Sequence, residues 1–227
     1  MNVAIIAAAG QGTRMAGKRP KQFLELAGTP ILFHTLKAFE QCDVIEEIIV
    51  VIPPQESAGF LSLANKFGLR KLARVVPGGT TRAQSVLHGL QAVREATAEI
   101  IAVHDGVRPF VTPDEIARTV YAASREGAAI LVAAPIDTIK EVRDGSVVKT
   151  LKRDELRSAL TPQCFRYTLL RRAYEEADVN DPELTDESSL VERLGVKVAI
   201  VEGSSRNIKI TRQEDIAIGE ALLRNWS

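Results

Sequence analysis

The stretch AAAGQGTRMAGKRPKQF, residues 7–23, holds three glycines, four basic side chains (Arg14, Lys18, Arg19 and Lys21) and no acid. Glycines let backbone N–H groups approach an anion, and cations with N–H donors are what bind polyphosphate. Lys21 follows Pro20, whose ring fixes one backbone dihedral and limits where the ammonium can travel. The competing reading is a solvated loop, and it suits Lys18 and Arg19 better than Arg14 and Lys21. Two nucleotide motifs fail here. The spacing G-x-G-x-x-M puts Met15 where a dinucleotide fingerprint needs a small residue, and the second strand ends in VIPP instead of an acid. A Walker A pattern is absent.

The second chemical signal is IIAVHDGVRPF at 100–110, where a hydrophobic strand ends on Asp105. A carboxylate there stands where α/β sheets present their ligands. A hard cation such as Mg²⁺ favours one or two carboxylates plus phosphate oxygens, so Asp105 is the candidate metal ligand, with an Asx-type turn as the alternative. His104 precedes it and points to the other side of a continuing strand, which makes it structural. None of His34, His88 and His104 has metal-ligand spacing.

Positioning these groups falls to an alternation of elements. Apolar runs at 3–9, 47–52, 73–76, 100–105 and 128–134 read as strands buried on both faces. Between them, PILFHTLKAFEQC, QESAGFLSLANKFG, TTRAQSVLHGLQAVREA and TPDEIARTVYAASREG carry helical spacing behind Pro, Ser or Thr starts. The expectation is an α/β protein with a doubly wound, mostly parallel, Rossmann-like sheet. After Ala134 the rhythm breaks. Residues 135–155 alternate β-branched and charged positions around RDGS, which predicts a protruding β-hairpin with little core of its own. A lone hairpin is marginal in water, so a second subunit is its expected partner. Helical patterning returns at 165–177 and 186–194, then a strand KVAIVEG and a terminal helix from about Arg212. TDESS at 185–189 reads as an N-capped helix start, a structural role.

With 227 residues, the chain suits one domain spanning 1–227. Lys plus Arg equals Asp plus Glu at 29 each, so no global field draws it to nucleic acid or an anionic membrane, and anion binding must be local. Two cysteines, Cys42 and Cys164, argue against a disulfide scaffold or a Cys-rich zinc site. No apolar run approaches the ~20 residues that span a bilayer, and no secretory signal pattern is visible, so the expected location is cytoplasmic.

The glycine-rich stretch also resembles the signature of nucleotidyltransferases that join a CTP-derived cytidylyl group to a polyol phosphate, most closely the 2-C-methyl-D-erythritol 4-phosphate cytidylyltransferase family. GGTTRAQSV, VHDGVRP, DTIK, LTPQCF, TDESSLVE and VEGSSRNIKIT agree in order, so the resemblance covers essentially the whole chain. It implies a nucleotidyltransferase-type fold, CTP as co-substrate and Mg²⁺ or another divalent cation at Asp105. Arg14, Lys21 and Lys209 would be catalytic, neutralising charge at the α-phosphate. Backbone groups of Ala7, Ala8, Ala9 and Gly79 would read the base, with Gly10, Gly12, the Ser85 hydroxyl and Asp105 also on the nucleotide. Arg108, Thr138 and Arg153 would hold the sugar phosphate. The arm, at about 136–156, would swap across a homodimer, so that Thr138 and Arg153 serve the neighbouring site.

Two departures stand out. Thr80 and Thr81 follow the glycines where acids are often seen, and PIDTIK is one residue short, which bears on the aim of Thr138. Two alternatives stay open: a sister enzyme acting on ribitol 5-phosphate, and a nucleotide-binding regulator without turnover.

Overall fold

The computed structural model describes residues 1–10, 20–181 and 183–224. The chain opens with β1 (Asn2–Ala7) and, after a 3₁₀ turn at Lys21–Phe23, forms a small hairpin of β2 (Glu25–Leu26) and β3 (Thr29–Pro30). There follow α1 (Ile31–Glu40), β4 (Glu47–Ile52), α2 (Ser57–Lys66), β5 (Leu72–Pro77), α3 (Arg82–Gln91), β6 (Ile100–Asp105), α4 (Pro113–Glu126) and β7 (Ala128–Ala133). The arm consists of β8 (Lys140–Arg143) and β9 (Ser146–Thr150). The last third adds β10 (Ser158–Arg166), α5 (Tyr167–Glu175), α6 (Glu187–Arg193), β11 (Ala199–Glu202) and α7 (Gln213–Arg224).

Seven strands form one sheet in the order β11-β7-β10-β6-β1-β4-β5, parallel except for β10. The central strands β6 and β7 are buried at every position and the edge strands β5 and β11 are not, which is why the former read as continuous apolar runs. Alternate residues of β1 feed opposite layers. Ala4 and Ile6 belong to one core cluster with Leu36 and Phe39 of α1 and Val120 of α4, while Val3 and Ile5 belong to the other with Val86 and Leu90 of α3 and Leu170 of α5. A third cluster (Leu26, Ile31, Val107, Phe110 and Ile210, with Ile216 and Leu222 of α7 against it) fastens the segments just beyond the strand ends.

The strand order contains a switch point. From β1 the chain moves outward to β4 and β5, then returns to β6 on the other side of β1. Ala7 and Asp105 are register partners, so the carboxyl ends of β1 and β6 open side by side into the crevice where such sheets bind ligands.

The strands expected at 3–9, 47–52, 73–76, 100–105 and 128–134 appear as β1, β4, β5, β6 and β7, and the expected hairpin forms. Asp144 (φ 49°) and Gly145 (φ 75°) supply the two positive dihedrals its tight turn requires. Every residue of β8 and β9 is exposed. Two features were not anticipated: the short β2–β3 hairpin and, within the main sheet, β10, the antiparallel strand between β6 and β7. Pro162 argues against a central strand, because it cannot donate to a ladder. The structure accommodates it where the β10–β7 register shifts between Ala159 and Gln163, and pairing with β6 starts only at Gln163. The helix expected to run on through REA instead stops at Gln91.

The Gly78–Gly79 turn touches the end of β1 so closely that a Cβ at Gly78 would lie 2.0 Å from Ala9 Cβ and 3.1 Å from Ser85 Oγ. Gly78→Ala is expected to cost about 1–3 kcal/mol of stability as an overpacked contact, read as a lower urea midpoint at constant m. An unchanged midpoint would show that the two segments part freely.

Candidate functional site

A cleft of about 390 Å³ opens at this switch point. The end of β1 contributes Ala7, Ala8, Ala9 and Gly10 to it, the turn before α3 contributes Gly79, and Lys21, Ser85, Asp105 and Lys209 complete the set expected from sequence. Arg14 and Gly12 lie outside the described residues, as do Lys18 and Arg19. Arg108 reaches Asp105 from the following turn, with Nε 3.5 Å from Oδ2. Thr138 and Arg153 lie exposed in and beside the arm and are not among the residues lining this cleft; Arg153 donates to the Ile136 carbonyl at 3.0 Å.

Local bonds fix the loop that carries Lys21. The buried Gln22 side chain donates to the Ala8 carbonyl at 2.6 Å, and Phe23 is buried beside it, so the residues after Lys21 anchor it against the end of β1. On the opposite wall, Thr81 caps α3 by accepting from Gln84 N, and the Ser85 hydroxyl accepts from Gly79 N at 3.1 Å while donating to Thr81 O at 2.9 Å. Ala8 N is likewise used, donating to Val51 O at 2.8 Å. The N–H donors of Ala8 and Gly79 are therefore engaged within the protein, and what these positions retain for a ligand is acceptor capacity.

Asp105 is the electrostatic centre. Its Oδ1 accepts from Arg82 Nε at 3.0 Å, and its Oδ2 is paired with Lys209 Nζ at 2.8 Å. Burial opposes its ionisation, but Arg82, Lys209 and Arg108 together prevail and hold the carboxyl well below the usual carboxylate range. Arg82 is itself tied from behind. Its Nη1 donates to both oxygens of buried Glu187, at 2.8 and 2.9 Å, and Tyr174 Oη donates to Glu187 Oε1 at 3.0 Å. Burial works against the Arg82 charge and the carboxylates of Glu187 and Asp105 overcome it, so the guanidinium is held more firmly charged than usual.

Behind Asp105 lies a second network. Thr161 Oγ1 accepts from Asp105 N at 3.2 Å and meets His104 Nδ1 at 3.0 Å, while His104 Nε2 meets the Arg108 carbonyl at 3.2 Å. The bonds are mutually satisfied when Thr161 donates to Nδ1 and Nε2–H donates to the carbonyl, which assigns the tautomer. His104 is fully buried against Phe39 and lines no part of the cleft, as its place in the strand predicts. Asn207 donates to Thr161 O at 2.9 Å and accepts from Arg108 Nη1 on its own carbonyl at 2.8 Å, which pins the strand-like run that carries Lys209.

Arg82, Glu187, Gln22, Thr161 and Asn207 were not singled out by the sequence reading, and TDESS was given only a helix-start role. One signal was present. Arg82 occupies the first turn of a helix, where the macrodipole disfavours a cation, and such a placement implies a carboxylate partner.

A switch-point cleft walled by a strand-end loop, a capped helix start and convergent cations is the arrangement of an α/β nucleotidyltransferase. A sequence profile described as 2-C-methyl-D-erythritol 4-phosphate cytidylyltransferase matches residues 2–225. Relatives bearing that name include one from Pelotomaculum thermopropionicum, 43% identical with 97% of this chain and 93% of the relative covered, and one from Bacillus cytotoxicus, 44% identical with 98% of each covered. The crystal structure of 4-diphosphocytidyl-2C-methyl-D-erythritol synthase from Anaerococcus prevotii superposes with a TM-score of 0.87 at 34% identity, covering 98% of each chain. The chain belongs to the 2-C-methyl-D-erythritol 4-phosphate cytidylyltransferase family.

The buried imidazole sets an acid limit on stability. Burial lowers the His104 pKa to about 3, against roughly 6.5 in the unfolded chain. Between those values the unfolded chain binds the extra proton. The neutral histidine's contribution is therefore complete above about pH 6.5 and is lost as pH falls, by on the order of 1.4 kcal/mol per unit. Replacing His104 with Gln should make unfolding free energy less steep between about pH 6 and 4 by that amount, measured by urea titration at each pH. Equal slopes in variant and parent would contradict the assignment.

Proposed function

We propose that the chain transfers the cytidylyl group of CTP to 2-C-methyl-D-erythritol 4-phosphate, giving 4-diphosphocytidyl-2-C-methyl-D-erythritol and pyrophosphate, in the cytoplasm. The observation that carries this reading is the convergence of Lys21, Arg82, Asp105 and Lys209 on one cleft, in a chain of a family named for that reaction. An acceptor phosphate oxygen attacks the α-phosphorus in line. As the new P–O bond forms, the bond to the oxygen bridging to the β-phosphate breaks, and pyrophosphate leaves with the electron pair. Lys21 and Lys209, with Arg14, neutralise charge that builds on the α-phosphate, the main demand of such transfers.

Recognition of the base falls to Ala7–Ala9, Gly79 and Ser85, with Gly10 and Gly12 bringing backbone to the nucleotide. Cytosine carries an exocyclic amino donor where uracil carries an acceptor, and the acceptor capacity left on these groups suits cytosine. Asp105 would hold Mg²⁺. Among the described residues no three His, Cys, Asp or Glu gather into a metal cluster, and a single carboxylate fits an ion held mainly by phosphate oxygens. When bound, such an ion supplies further positive charge to the triphosphate.

Arg108 holds the acceptor phosphate from the same subunit, and Thr138 and Arg153 do so from a partner. The chain is one nucleotidyltransferase domain, residues 1–227, whose arm at about 136–156 crosses a homodimer. The arm's exposed Ile136, Val142, Val147 and Val148 support this, since a two-stranded hairpin with such side chains in water needs a cover.

Pyrophosphate release from CTP should require 2-C-methyl-D-erythritol 4-phosphate and should be absent with ribitol 5-phosphate; the reverse outcome replaces the acceptor, and silence with both leaves a binding protein. In the same assay Lys21→Ala should lower kcat by about 10²–10³. A rise in KM alone would reduce Lys21 to a binding role. Mixing Arg153→Ala with Asp105→Asn subunits should restore activity to the hybrid dimer, because one composite site is then intact. Verified hybrids without activity rule out the crossed arm.

A further inference from the structure

The three cations around Asp105 are not held alike. Arg82 is fixed behind by two bonds to Glu187, and Arg108 by its bond to the Asn207 carbonyl. Among the described residues, Lys209 has no such second side-chain bond, and its anchorage is through the backbone on either side. Ile210 beside it is fully buried and donates to Val107 O at 2.9 Å, and Asn207 on the other side is pinned to Thr161. Its side chain, 38% exposed, ends 2.8 Å from Asp105 Oδ2. Thus Oδ1 belongs to an immobilised guanidinium, and Oδ2 to an ammonium on a flexible four-carbon stem.

A divalent ion arriving alone must displace Lys209 and then sit beside Arg82 and Arg108. Like charges at such distances repel strongly in a partly buried site. A triphosphate reverses the local sign. It offers the ammonium oxygens with more charge than one carboxylate has, and once Lys209 moves to them, Oδ2 is released.

We propose that Lys209 is a placeholder: in the ligand-free protein its ammonium holds Asp105 Oδ2, and nucleotide draws it away, so that Asp105 becomes a metal ligand only after the triphosphate has bound. This rests on the reading of the cleft as a CTP site. It makes Lys209 serve twice, first guarding the carboxylate and then acting on the phosphate, and it couples metal entry to nucleotide entry without any backbone movement.

The test is Mn²⁺ binding without nucleotide, followed by the loss of the free-ion electron paramagnetic resonance signal on titration with the intact protein. The parent protein should leave the signal unchanged. Lys209→Met should take up about one Mn²⁺ per chain, tighter on the order of tenfold or more, the size expected when one like charge leaves the neighbourhood of a divalent ion. Lys209→Arg, which keeps a cation at Oδ2, should behave as the parent, and adding Asp105→Asn to Lys209→Met should abolish uptake. Equal Mn²⁺ binding by parent and Lys209→Met, or none by either, overturns the proposal. A second measurement needs no variant: the ammonium nitrogen resonance of Lys209 in ¹⁵N-lysine-labelled protein should shift when CTP is added in excess EDTA. A resonance that stays put while calorimetry shows CTP bound refutes the exchange alone. Calorimetry showing no CTP binding refutes the nucleotide site beneath it.

Discussion

A carboxylate can be kept charged inside a protein only where cations and hydrogen-bond donors replace the water it loses. Asp105 meets that requirement through Arg82, Lys209 and Arg108 on its oxygens, and the need for those partners determines much of what surrounds the cleft. Each partner brings its own demand. Arg82 needs Glu187, which in turn is bonded by Tyr174. Arg108 needs the Asn207 carbonyl, and Asn207 binds Thr161, which supports the Asp105 amide and His104. One ionised group thus links β6 to α3, α5, α6 and the segment before α7. Such a network is rigid at its base, where partners are buried, and loose at its mouth, where Lys209 reaches solvent.

The sheet determines why this happens at β6. Parallel strands place their carboxyl ends on one edge, and only at a change of winding direction do two neighbouring connections diverge and leave a crevice. Here that change lies between β1 and β6. The β1 exit loop and the β6 terminus enter the crevice together, and the third apolar cluster, through Val107 and Ile210, holds the residues adjoining Arg108 and Lys209 in place. The antiparallel β10 adds to this from behind: Thr161 and Gln163 come from it, and Gln163 accepts from the Glu187 and Ser188 amides, which seats the start of α6 against the sheet.

Much of this was legible in the sequence because the signals were local. Buried parallel strands read as unbroken apolar runs, the arm was announced by RDGS, and Asp105 stood at a strand end. The seven motifs carried the family, and most of the residues they nominated line one cleft. What was not legible depended on contacts distant in sequence. Glu187 lies 105 residues from Arg82, and nothing local distinguishes a buried glutamate at a helix start from a solvated one. Gln22 is buried by its bond to the Ala8 carbonyl, a partner that no pattern in the loop specifies. Pro162 concealed β10 because the rule that keeps proline out of central ladders is local, whereas the register shift that accommodates it arises from pairing with β7.

The residues that violate local preference are those the cleft uses. Arg82 sits on the positive pole of α3, where a cation is disfavoured. Glu187 is 1% exposed and Asp105 6%, at positions that usually exclude charge. In isolation each would destabilise its element; together they neutralise one another, so the conflict disappears at the level of the fold. Among the described residues around Asp105, the cations Arg82, Arg108 and Lys209 meet the carboxylates of Asp105 and Glu187, in a chain that is neutral as a whole. The conflict is resolved over distances that no single helix or strand spans, so the placement of charge here is a property of the tertiary structure and not of any one element.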